Sequence, residues 1–198
     1  SSSKFAKKAE EAGCDAVVAE GFEAGGHNGR EETTTFVLIP AVCQAVKIPV
    51  IAACGIATGR QMLAAMILGA SAVQIGSRFV ASEEASSHIN FKNAVINTVE
   101  GDTVLSLKQL TPVRLIKNSF YKQVEAAEKR GAPMEELQTL LGRGRAKKGM
   151  FEGDLTEGEL EIGQISGAID SIKPAAEIVS EIITEFNATT ERLTKLKF

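Results

Sequence analysis

The chain has 198 residues, 44% of them apolar and 24% charged, with a formal net charge of −3. That balance belongs to one globular domain with a real core, and the slight negative charge argues against a nucleic-acid or polyanion surface. No apolar run is long enough to span a bilayer, no secretory signal opens the chain, and three cysteines without metal-ligand spacing (Cys14, Cys43, Cys54) read as reduced thiols in the cytoplasm.

In chain order, residues 4–13 read as an amphipathic helix with serine before it and Gly13 at its end. No strand precedes this helix, so the sequence is expected to begin in the middle of a domain. Residues 16–19 are a short apolar strand that ends on Glu20. A glycine-rich loop follows, with Gly25, Gly26 and Gly29 around His27. A helix is expected over about 35–46, a strand over 48–53 with Pro49 near its start, and a loop at 54–59. A further helix covers 60–68 and closes on Gly69, and a third strand covers 72–76. Alternating strands and helices at this spacing imply parallel β-α-β units with both sheet faces covered. The class is α/β. Three units alone leave open whether the sheet is doubly wound or closes into a barrel.

The character changes after residue 80. A helix broken near His88 is expected over 83–99, a short extended piece over 102–107, and one long helix over 113–130. Helices follow at 133–141 and 174–186, with a basic glycine-punctuated stretch at 142–153 between them. A glycine-framed site is expected at 163–167, and the polar tail from Asn187 is expected to fray. The division is an α/β core over 1–80 and a helical region over 81–198.

In α/β folds, ligands bind on the loops after the strands. Gly25, Gly26, Gly55 and Gly76 stand in three such loops. Any one of them serves a tight turn. Gly55 and the Gly76-Ser77 pair follow consecutive strands, and there a phosphate held by backbone N–H groups is the better reading. His27 is the one side chain of its loop that exchanges protons readily near neutral pH; a plain surface histidine is the alternative. Glu20 anchors either a ligand hydroxyl or the loop backbone. Gln74 donates to a ligand carbonyl or to a neighbouring strand, and Arg78 pairs with phosphate or with Glu83. Cys54 has no adjacent base and is not read as a nucleophile. His88 reads as structural. Two histidines are too few for a histidine-based metal site, and no metal is expected.

Three segments carry a resemblance: Glu20-Gly21 with Glu23-Ala24-Gly25-Gly26-His27, then residues 49–56, then Ala72-Val73-Gln74-Ile75-Gly76-Ser77-Arg78-Phe79. Together they resemble the nitronate monooxygenase family, which includes the flavin-dependent enoyl-acyl carrier protein reductase II branch. Residues 113–118 and 163–167 are similar to that family's C-terminal region. The family often has glycine where Cys54 stands and threonine where Ser77 stands.

The resemblance implies a (β/α)8 barrel of which these are strands six to eight, with a helical appendage. It implies FMN at the strand ends, its phosphate near Gly55, Gln74, Ile75, Gly76 and Ser77, and His27 as the proton-transferring group beside the flavin. The expected activity is reduction of enoyl-acyl carrier protein thioesters by NADH or NADPH in fatty-acid synthesis. Nitronate oxidation with O2 is the alternative, and a catalytically inactive fragment or half-barrel module is the third. A small-molecule or carrier-protein-bound substrate and a homodimer are expected, with no membrane and no nucleic acid.

Overall fold

The computed structural model describes residues 2–195. Two small sheets organise it. The first is parallel and has the order β1 (Val17–Glu20), β3 (Val50–Ala53), β4 (Ala72–Gln74). Val17 pairs with Val50 and Ile51 with Ala72, so the three strands end level on one side. Helix α2 (Thr35–Ala45) connects β1 to β3, and α3 (Gly59–Ile67) connects β3 to β4. Helix α1 (Ser3–Glu11) packs on β1 and α2. The principal core lies beneath this sheet, where Ile39, Val42, Val50 and Ala52 are fully buried. Burial on both faces accounts for the near-continuous apolar strands.

The second sheet is antiparallel, in the order β2 (Gly26–His27), β6 (Val113–Ile116), β5 (Thr103–Ser106). It joins the glycine-rich segment to residues far along the chain, since Gly26 pairs with Arg114 and His27 with Val113. Two expectations are corrected here. The glycine segment is not all loop, and the helix expected over 113–130 is a strand followed by a separate helix, α6 (Ser119–Lys129). Asn118 makes the break, because its side chain accepts the Tyr121 N–H at 2.9 Å and caps α6. The region after residue 80 is therefore not purely helical.

Of the short helices α4 (Ser77–Val80), α5 (Ile89–Ile96), α7 (Met134–Leu141) and α8 (Arg145–Met150), the first two pack on the 3-10 turn Gln164–Ala168 and α7 packs on α6. His88 caps α5 by accepting the Asn90 N–H, which is the structural role expected of it. The last helix, α9 (Ala175–Leu193), runs past Asn187, where fraying was expected, and packs along α3. Its Glu185 accepts the Gly59 N–H at 2.8 Å, seating a carboxylate on the first turn of α3. Within the described residues β1 and β4 are the outer strands, so the parallel sheet does not close into a barrel. No helix of the described residues is long and apolar enough to cross a membrane.

Candidate active site

The level ends of β1, β3 and β4 open onto a cleft of about 240 Å³. Six residues expected at a site line it: Glu20, Gly25, Gly55, Gln74, Gly76 and Ser77. Glu20 is the last residue of β1 and half-buried, and burial raises its carboxyl above the usual range. Gln74 ends β4 with its side chain exposed. Gly76 is the residue before α4 and Ser77 its first. The other three expected residues are not in the lining. Ile75 points down and packs against the core below the sheet. Gly26 and His27 are on β2, with His27 exposed beside the cleft rather than within it. Pairing of β2 with β6, which a glycine-rich segment does not advertise, accounts for that displacement.

The loop after β3 turns through two left-handed residues, Cys54 at φ +87° and Gly55 at φ +69°. Cys54 therefore occupies a conformation that favours glycine. Its thiol is pushed up to about 12 by burial first, and then by Glu20 and Glu23. A thiol held protonated is a poor nucleophile.

Glu23, which the sequence reading left without a role, ties the glycine loop to α2. Its carboxylate accepts the Thr35 N–H at 3.0 Å and the Thr35 hydroxyl at 2.9 Å. This carboxylate takes the place of the missing side-chain cap at Thr34. Beneath the loop lies Arg114, only 2% exposed, which donates to the Phe22 carbonyl at 3.0 Å and stacks on the Phe22 ring. Burial lowers its guanidinium, while Glu23 and Glu32 favour the charged form.

A segment from the far end of the chain closes the cleft. Gly163 N–H donates to Ser77 Oγ at 3.1 Å, and Gln164 N–H donates to the Glu23 carbonyl at 2.9 Å. A Cβ on Gly25 would stand 2.4 Å from the Ile162 carbonyl carbon, so only glycine lets this segment approach. The segment adds Glu161, Ile162 and Ile165 to the cleft wall, and Met150 comes from α8. The glycine-framed stretch 163–167 was visible in the sequence; Glu161 and Met150 carried no local signal. Arg78 takes neither expected partner. It is buried, donates to the Ser171 carbonyl at 2.9 Å, and faces a different hollow shared with Asp170 and Glu181.

The charged side chains lining the cleft are carboxylates, those of Glu20, Glu23 and Glu161; among the described residues no lysine or arginine lines it. An anion seated here would meet backbone N–H groups rather than side-chain cations. Room exists for one at Gly76, where an added Cβ would meet nothing within 4 Å. No cluster of three or more potential metal ligands is found among the described residues.

The family model described as nitronate monooxygenase matches residues 1–185. A probable nitronate monooxygenase of Staphylococcus aureus is 36% identical over 187 residues, covering 90% of this chain and 52% of that protein. Among solved structures, FabK from Thermotoga maritima matches with a TM-score of 0.92 and 42% identity, over 98% of this chain and 61% of that one. Nitroalkane oxidase from Streptomyces ansochromogenes matches with a TM-score of 0.78 and 29% identity, over 97% of this chain and 57% of that one. The chain thus spans about half the length of the curated relatives it matches.

Proposed function

The chain belongs to the nitronate monooxygenase family, and on that premise we propose that it is the phosphate-binding and proton-handling portion of an FMN-dependent oxidoreductase. The observation that carries this reading is the cleft at the level strand ends, where Gly55, Gly76 and Ser77 meet on consecutive βα turns. The residues present fit a flavin phosphate. Gly76 leaves open space at the start of α4, and the neighbouring N–H groups need no cationic side chain to help them. Glu20 suits ribityl hydroxyls, since an ionised carboxylate only accepts hydrogen bonds. The volume of about 240 Å³ takes part of such a cofactor rather than all of it.

FMN supplies two-electron transfer between a reduced nicotinamide and an acceptor. The chain's residues do the remainder. Gln74 at the end of β4 offers an amide donor to a ring carbonyl. Ile162, Ile165 and Met150 form an apolar wall that excludes water from the reacting face. His27 holds the proton that completes reduction of the substrate.

Reduction of an enoyl thioester carried on acyl carrier protein, with NADH or NADPH as reductant, is the reading we favour. The 42% identity to FabK, with its TM-score of 0.92, exceeds the likeness to nitroalkane oxidase. Nitronate oxidation is the second reading, supported by the family model and the Staphylococcus aureus relative. Two measurements separate them. Anaerobic NAD(P)H consumption that depends on an enoyl thioester supports the reductase; O2 consumption driven by a nitronate without NAD(P)H supports the oxygenase. Failure of the purified protein to retain or rebind FMN would sink both.

A further inference from the structure

Arg78, the second residue of α4, opens not on the cleft but on a hollow of about 280 Å³ that shares no lining residue with it. The hollow lies between the start of α3, residues 168–173 and α9. Arg78 is 8% exposed, and its hydrogen bond runs from Nη1 to the Ser171 carbonyl at 2.9 Å. A guanidinium carries several further N–H donors in a planar fork. The carboxylates around the hollow are engaged elsewhere. Glu181 pairs with Lys173, and Glu185 pairs with Arg60 while accepting the Gly59 N–H. Asp170 is exposed on the rim and accepts the Ser171 hydroxyl at 2.9 Å. Burial lowers the Arg78 guanidinium, while the charges of Glu181, Asp170 and Glu177 favour its charged form.

The lining decides what fits. An unmet guanidinium fork matches a carboxylate, which it holds through two parallel hydrogen bonds. Arg78 and Lys173, however, stand with Asp170, Glu181 and Glu185. An anion that brought no cation of its own would enter a surround with more carboxylates than cations. An ammonium beside Asp170 removes that repulsion. The floor is apolar and buried, made by Ile169, Ile178 and Ile182, and accepts a hydrocarbon side chain. The volume lies just under the ~300–1,000 Å³ of drug-sized sites, so the occupant is small. We propose that this hollow is a second binding site, for a zwitterion of the aliphatic amino-acid type. Its carboxylate takes the Arg78 fork, its ammonium faces Asp170, and its side chain rests on the three isoleucines. Asp170 is exposed, so solvent screens the ammonium contact and its share of the affinity is modest.

The test needs neither flavin nor turnover. Leucine is the probe, beside 4-methylpentanoate, which lacks the ammonium, and 3-methylbutylamine, which lacks the carboxylate. Calorimetric titration at low salt should show leucine binding about fivefold more tightly than 4-methylpentanoate. The amine should bind more than about tenfold more weakly than leucine, since it forgoes the charged fork. Asp170→Asn should weaken leucine about fivefold and leave 4-methylpentanoate no weaker, which isolates the ammonium contact. Arg78→Met should abolish binding of both. Should that variant fail to fold, Asp170→Asn, at an exposed position, still decides. Backbone amide resonances place the ligand: Ile169 and Ser171 should shift, while Gly55 and Gly76 of the cleft stay. No leucine binding at ~20 mM overturns the site, as do shifts confined to the cleft or full affinity in a folded Arg78→Met. Equal affinity for leucine and 4-methylpentanoate, or leucine binding unchanged in Asp170→Asn, overturns the zwitterion.

Discussion

The amide of Gly163 donates to the hydroxyl oxygen of Ser77 at 3.1 Å, fastening the cleft-closing segment to the first turn of α4. A serine hydroxyl carries one donor and two acceptor positions. With Gly163 occupying an acceptor position, the O–H remains to donate into the cleft that both residues line. One side chain can thus hold the closing segment and still offer a hydrogen bond to the cleft.

Ser77→Ala should therefore loosen the segment and weaken FMN binding together, whereas Ser77→Thr keeps both. Loss of one such bond costs about 1 kcal/mol. Native-state hydrogen exchange reads it directly: Gly163 should exchange about fivefold faster in the alanine variant. Unchanged protection would show that the Gln164 bond to Glu23 holds the segment without help.

Gly25 and Gly76 should separate folding from binding. A methyl at Gly25 would collide with the Ile162 and Gly163 backbone, closer than 2.7 Å in each contact. Gly25→Ala should lower stability by about 1–3 kcal/mol through overpacking. At Gly76 the backbone lies at φ −101° and a methyl meets nothing. Gly76→Ala should stay within about 0.5 kcal/mol of wild type, yet reduce FMN affinity because the methyl takes the space beside the α4 amides. Denaturant melts and flavin fluorescence titrations, run on both variants, check the contrast.

Cys54 combines an unfavourable backbone with an inert thiol. Its φ of +87° costs a non-glycine residue roughly 1–2 kcal/mol. Cys54→Gly should recover about 1 kcal/mol, less what glycine adds to the entropy of the unfolded chain. A lower denaturation midpoint would contradict the strain. In the native protein the thiol, pushed up to about 12, should resist an alkylating reagent at pH 8 long after the exposed Cys14 has reacted.

The parallel units were legible because their signals are local. Apolar runs at 16–19, 48–53 and 72–76 reach a glycine at their end or within two residues of it, and β1, β3 and β4 lie on them, β1 running one residue further to Glu20. The β6–α6 stretch misled for a physical reason. Val113, Ile116, Phe120, Val124 and Ala127 recur every three or four residues, which is helical spacing, although the first two belong to a strand. Asn118 was the local clue, as a cap between the two elements. The site was half legible. Gly55, Gly76 and Ser77 follow from the rule that ligands bind after strands. That Glu161 reaches Gly26 depends on pairing between distant segments, which no local pattern encodes.

Glu159 makes stability depend on pH in a direction opposite to that of most carboxylates. It is 5% exposed, and its Oε1 has no hydrogen-bond partner. Burial first, then Glu161, raise its carboxyl from 4.5 to about 7, against the pull of Arg145. The folded state therefore keeps this proton where the unfolded chain has lost it. The stabilising contribution is complete below about pH 4.5 and is lost as pH rises through about 7. A rise of that size is worth roughly 3 kcal/mol at most. Glu159→Gln removes the titration while keeping the shape. Urea melts at pH 5 and pH 8 should show the variant gaining about 1–3 kcal/mol on wild type at the higher pH, and little at the lower. Parallel pH dependences in the two proteins would mean that Glu159 is ionised in the fold, with Arg145 or water meeting its charge.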